Sequence, residues 1–165
     1  MNRRRFVLLW KFATCSAVLG LGGLVLGPSS GCSARQVTGP GVVDVDAPEE
    51  FTTTDSGLKY RIRRRGDGDR PLPTDKVAVQ YRGWTIDEET GIEKTFDQSY
   101  NRPQASEFRV KGVVPGFGEG LMLVREGGMI ELIIPPELGY GAEGNSMIPP
   151  NATLHFRVEL ERIVR

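Results

Sequence analysis

Tyr140-Gly141-Ala142-Glu143-Gly144-Asn145-Ser146-Met147-Ile148-Pro149-Pro150-Asn151-Ala152-Thr153-Leu154 is a glycine- and proline-rich loop that feeds a strand. Pro149 and Pro150 stiffen its exit, because each fixes φ and removes an N–H donor. The strand is the clearest element in the chain. Leu154, Phe156, Val158 and Leu160 alternate with His155, Arg157, Glu159 and Glu161, so one side is expected to pack and the other to meet water.

Upstream, Ile130, Leu132 and Ile134 form another strand, stopped by Pro135-Pro136 because neither proline can donate to a ladder. Phe117, Leu121 and Val124 recur at i, i+4 and i+7, the apolar face of a short helix that starts after Val114-Pro115-Gly116 and ends at Gly127-Gly128. Leu58, Tyr60 and Ile62, and then Val77, Val79 and Tyr81, alternate with polar residues as half-buried antiparallel strands do. Phe108 and Val110 begin one more. Between them the polar stretch from Gly83 to Thr95, with a turn at Glu88-Glu89-Thr90-Gly91, is expected to bulge out and return at Phe96. These elements predict an α+β fold: a twisted antiparallel β-sheet wrapped around one short α-helix.

Of 165 residues, 39% are hydrophobic and 25% charged, a globular composition that suits one domain with flanking sequence. Residues 1–32 read as an export signal: Arg3, Arg4 and Arg5, an apolar stretch from Phe12 to Leu26, and a small-residue boundary at Pro28-Ser29-Ser30-Gly31. Asn2-Arg3-Arg4-Arg5-Phe6-Val7-Leu8 resembles a twin-arginine signal, with the general export route as the alternative. Gly31-Cys32 resembles the end of a lipoprotein box, although Ser29 stands where an aliphatic residue is usual, which makes Cys32 a lipidation candidate and a means of membrane attachment. An uncleaved anchor is the competing reading, disfavoured because the apolar stretch falls short of the roughly 20 residues that span hydrocarbon. Residues 33–54 lack sustained periodicity and read as a flexible linker, leaving 55–165 as the domain.

Cys15 would leave with the signal, so only Cys32 remains and the domain has no internal disulfide. Trimming also removes Arg3, Arg4, Arg5 and Lys11 from a chain with 21 basic and 21 acidic residues, so the remainder is about four charges negative. That balance disfavours nucleic acid as a partner. The run Arg61, Arg63, Arg64 and Arg65 and the cluster Glu88, Glu89 and Glu93 read as solvated surfaces, and His155, the only histidine, as an exposed strand residue with nothing to share a metal.

From about Thr54 onward several motifs stand in a fixed order: Ser56-Gly57-Leu58-Lys59-Tyr60, Val79-Gln80-Tyr81-Arg82-Gly83, Thr95-Phe96-Asp97-Gln98-Ser99, Val113-Val114-Pro115-Gly116-Phe117, Glu119-Gly120-Leu121, Ile134-Pro135-Pro136-Glu137-Leu138-Gly139-Tyr140-Gly141 and Ile148-Pro149-Pro150-Asn151-Ala152-Thr153-Leu154. In that order they resemble the FK506-binding-protein family of peptidyl-prolyl cis-trans isomerases over about 110 residues. The resemblance implies an isomerase acting on proline-containing polypeptides, with no cofactor and no metal. It implies a pocket in which Phe96, Val114, Phe117 and Phe156 enclose a prolyl ring, Phe117 is the floor, Val113 supports the wall and Ile148 leans in from the loop. Tyr140 would donate to one substrate carbonyl and the Val114 N–H to another, while Asp97 is held by Tyr81 and Arg102.

Three departures stand out. Gln104, Ala105 and Ser106 occupy the stretch where many members have a second phenylalanine, so a thinner wall is expected there. Phe117 replaces the tryptophan of the best-known members, and the loop from Glu143 to Met147 is slightly short. The protein is expected to be a monomer, exported to the periplasm or cell envelope. Two rival readings are a peptide-binding or chaperone module of the envelope with little turnover, and a structural envelope lipoprotein with no pocket.

Overall fold

The computed structural model describes residues 39–165, and the expected export signal and Cys32 lie outside them. The elements are β1 (Thr52–Thr53), β2 (Lys59–Arg64), β3 (Lys76–Ile86), β4 (Glu93–Gln98), β5 (Ser106–Arg109), α1 (Pro115–Leu123), β6 (Met129–Ile134) and β7 (Leu154–Val164), with short 3-10 turns at Val110–Gly112 and Pro136–Leu138. All strand pairs are antiparallel, in the order β1-β2-β6-β7-β3-β4. β7 occupies one edge of β3 from Lys76 to Trp84, so β4 (at Arg82–Ile86) and β5 (at Lys76–Val79) share the other edge. The α+β architecture expected from the periodicities is the one observed.

The sheet's inner face carries the core. Register sets Leu132 opposite Phe156, Ile130 opposite Val158 and Tyr81 opposite Val158, and α1 lays Phe117 and Leu121 onto them, with Leu121 fully buried. Each fully buried aliphatic side chain contributes about 1.5–3 kcal/mol by leaving water. Of the three glycines in α1, those in the helix interior cost about 1 kcal/mol each in helix propensity, and close packing on β6 explains Gly116 and Gly120. A Cβ on Gly120 would lie 2.5 Å from Leu132 Cδ1, and one on Gly116 would lie 2.5 Å from Ile134 Cγ2. The helix therefore sits closer to β6 than any side-chain-bearing residue would permit, which brings its first turn to the pocket.

Several local expectations are corrected. The stretch from Gly83 to Thr95 is mostly strand rather than loop: after a register shift between Gly83 and Trp84, β3 runs on to Ile86 and β4 returns from Glu93 as a hairpin whose turn is tied by the Asp87 carboxylate accepting from Thr90 N at 2.8 Å. Val110 leaves the strand for a 3-10 turn. Gly127, at φ +78°, shapes the turn into β6 rather than the helix end, because Val124 is already extended.

The outer face is not simply wet. Register sets Arg61, Glu131 and Arg157 abreast on β2, β6 and β7, and Glu131 accepts from Arg61 Nε and Arg157 Nη2, each at 2.6 Å. Glu159, only 8% exposed, accepts from Arg64 Nη2, from the Tyr100 hydroxyl and from Gly41 N, each at 2.8 Å. A cover explains the burial. Residues 39–51 lie along this face, with Asp44 N donating to Arg63 O at 2.8 Å, Arg63 donating to Pro48 O at 3.0 Å, and Arg61 stacked over Phe51 at 4.5 Å. Thr52–Thr53, within the expected linker, pair with β2. Arg61, Arg63 and Arg64 are thus clamped rather than solvated, and His155 is half-covered, stacked on Trp84 with burial holding its imidazole below the usual pKa.

Candidate functional site

Where the inner face of β3, β4 and β7 meets the first turn of α1, the side chains leave a cavity of about 450 Å³. Phe117, from α1, is its floor, with the Phe156 ring 4.8 Å away centroid to centroid. Phe96 stands edge-on to Phe156 at 5.5 Å, and Phe108 stands edge-on to Phe117 at 6.1 Å and to Tyr81 at 5.6 Å. Edge-to-face contacts of this kind suit the ring quadrupole and fix the walls. Gly83 makes room for them, since a Cβ there would lie 2.6 Å from both Phe96 and Phe156.

One side of the cavity is polar. The Tyr81 hydroxyl donates to Asp97 Oδ2, and Arg102 donates to Asp97 Oδ1 at 2.5 Å and to the Tyr81 oxygen at 3.4 Å. Burial, and then the bonded carboxylate, push the Tyr81 phenol up to about 12, so at neutral pH it is a protonated donor. The Asp97 side chain is 38% exposed and the Arg102 side chain 42% exposed, so the ion pair is open to solvent on its far side.

The rim comes from the loop after β6. Tyr140 stands there 41% exposed, with Met147 beside it, and Ile148 is 2% exposed against the cavity. Asn145 shapes this loop: its Oδ1 accepts from Met147 N at 2.8 Å and Ile148 N at 2.9 Å, and its own N–H donates to Ile148 O. Val114, also in the lining, is the residue before Pro115 at the start of α1, where N–H groups have no acceptor within the helix.

Of the ten residues expected in the pocket, Tyr81, Phe96, Asp97, Val113, Val114, Phe117, Tyr140, Ile148 and Phe156 line the cavity together. Arg102 stands behind Asp97 rather than in the wall. Cys32 lies outside the described residues. The thinner wall expected from Gln104, Ala105 and Ser106 is filled by Phe108 of β5. Phe108 was legible as a strand residue but not as pocket lining, because alternation says which face a side chain takes and not which end of the sheet is hollow. Asn145 and Met147 carried no signal beyond membership of the loop.

This arrangement can enclose a small apolar ring and offer donors around it. The sequence pattern of the FKBP-type peptidyl-prolyl cis-trans isomerases matches residues 68–161. FkpA of Escherichia coli (strain K12), an FKBP-type peptidyl-prolyl cis-trans isomerase, is 47% identical over 108 residues, which are 66% of this chain and 38% of that protein. The crystal structure of FkpA from Escherichia coli superposes with a TM-score of 0.65 at 44% identity, covering 70% of this chain and 52% of that one. AtFKBP13 does so at 0.62 and 32% identity, covering 70% of this chain and 99% of that one. The chain therefore spans well under half the length of that curated relative. The chain belongs to the family of FKBP-type peptidyl-prolyl cis-trans isomerases.

Proposed function

We propose that the domain accelerates rotation about X-Pro bonds of polypeptide clients, and the observation that carries this is an aromatic cavity with a phenol–carboxylate–guanidinium network on one wall. The uncatalysed rotation faces a barrier of about 20 kcal/mol because the twisting amide loses resonance. A twisted imide carbonyl carries less negative charge than a planar one and needs less hydration. An apolar enclosure by Phe96, Phe108, Phe117 and Phe156 therefore favours the twisted state over the ground state.

No nucleophile or proton transfer is required. The Tyr140 hydroxyl on the rim donates to a substrate carbonyl on one side of the proline, and the Val114 N–H holds a second carbonyl on the other. Asp97 is kept in place by Tyr81 and Arg102 and polarises the wall that faces the rotating imide. Support for these roles is that Tyr140, Val114, Asp97 and Tyr81 line one cavity, with Arg102 bonded to Asp97 from behind.

An NMR exchange assay on a proline peptide tests the reading. Exchange faster than the uncatalysed rate is expected, and an unchanged rate would overturn it; peptide binding without acceleration would favour the envelope peptide-binding module instead. We further infer export, from residues 1–32, and a lipid on Cys32 as the anchored form. N-terminal sequencing and mass of the mature protein decide both.

A further inference from the structure

β3 has a gap on one edge. β4 pairs with it from Arg82 and β5 as far as Val79, so neither strand serves Gln80 and Tyr81. Ser99, fully buried, closes the gap. Its N–H donates to Tyr81 O at 2.9 Å, and its Oγ accepts from Tyr81 N at 2.8 Å. The same hydroxyl donates to Gln80 Oε1 at 2.6 Å, in a side chain only 6% exposed. The Ser99 carbonyl accepts from Arg102 N at 2.8 Å. Ser99 is thus bonded to the backbone of Tyr81 and of Arg102 and lies two residues from Asp97, the three members of the network on the pocket wall.

We propose that Ser99 is a positioning residue for prolyl isomerisation, holding Tyr81, Asp97 and Arg102 in register through the backbone. The proposal rests on the functional reading of that network given above. Without the hydroxyl, the Tyr81 N–H is buried with no acceptor, which is costly. The relief open to the chain is to slip the turn from Asp97 to Arg102 or to admit water, and either one moves the Asp97 carboxylate relative to the cavity.

The test compares Ser99→Ala, Ser99→Thr and, as a stability control far along β3 and β7, Ile163→Ala, all as the mature protein. Turnover on a proline peptide is measured together with the ionisation of the Tyr81 phenol by NMR with ring-labelled tyrosine. Ser99→Ala is expected to lower kcat by about 5- to 10-fold, the scale of one buried hydrogen bond, with KM changed by less than about 2-fold. Its Tyr81 phenol should titrate below the wild-type value. Ile163→Ala should lose as much thermal stability and keep both, and Ser99→Thr, which retains the oxygen, should recover most of kcat.

Equal kcat in Ser99→Ala and Ile163→Ala, or an unmoved phenol, would overturn the proposal. Where Ser99→Ala does not fold, Gln80→Leu removes only the acceptor of the Ser99 hydroxyl. It should lower kcat by about 2-fold or more, and no loss would count against positioning. Absent turnover in the wild type refutes the functional reading alone, because the phenol titration still decides whether Ser99 sets the Tyr81–Asp97 contact.

Discussion

The same three chemical groups meet twice in this domain, on opposite faces of one sheet. On the inner face Asp97 receives Tyr81 and Arg102; on the outer face Glu159 receives Tyr100 and Arg64. The Asp97 side chain is 38% exposed beside an apolar cavity, whereas that of Glu159 is 11% exposed under the segment carrying Gly41. Burial pushes both phenols up, and the one beside Glu159 goes further. A triad of this composition is therefore no signature of function. What it faces decides, since the open one can act on a guest and the covered one can only hold two pieces of chain together.

The comparison can be broken by mutation, beginning with the largest expected effect. Glu159→Ala leaves Arg64, the Tyr100 hydroxyl and Gly41 N without their shared acceptor, and should lower unfolding free energy by about 3–5 kcal/mol, as loss of one partner of a buried pair does. Chemical denaturation measures it, and turnover per folded molecule should stay within about 2-fold. Gly83→Ala forces a methyl against Phe96 and Phe156 and should cost about 1–3 kcal/mol by overpacking. It should also raise KM, because the wall itself moves.

Asp97→Ala is the converse of the Glu159 change. It should lower kcat/KM by about 10-fold or more while costing less in stability than the Glu159 change, since both side chains of its ion pair with Arg102 are more than a third exposed. The smallest effect concerns acid. Burial raises the Glu131 pKa but the hydrogen bonds from Arg157 and Arg61 outweigh it, and the net shift is below the ordinary 4.5. A lowered folded-state pKa contributes stability that is complete above the unfolded value and lost as pH falls through the folded one. Melting temperature should therefore drop in acid below about pH 4.5, and Glu131→Gln should flatten that limb.

The legibility of the molecule follows the same division. β7 was readable because Leu154, Phe156, Val158 and Leu160 repeat with period two, and α1 because Phe117, Leu121 and Val124 fall on one face despite three helix-weakening glycines. The hairpin around Asp87 was legible only as a turn, since Glu93-Lys94-Thr95 of β4 are polar on both faces and Gly83 interrupts the alternation of β3. Glu159 was misjudged because alternation assigns a residue to a face without saying whether something covers that face, and the covering residues 39–51 have no period of their own.

In the pocket, composition alone marked Phe96, Phe117 and Phe156 as core. Only the ordered motifs assigned them to a cavity, together with Tyr81, Asp97 and Tyr140. Phe108 and Ser99 escaped because their roles depend on where β4 and β5 divide the edge of β3, a feature of pairing that no local pattern encodes.

The most direct measurement is proline-peptide exchange by NMR for the wild type, Asp97→Ala and Glu159→Ala at equal concentrations of folded protein. Acceleration in the wild type, retained in Glu159→Ala and largely lost in Asp97→Ala, is the predicted result. Uncatalysed exchange in all three, or equal losses in the two variants, would contradict the assignment of action to the open triad and support to the covered one.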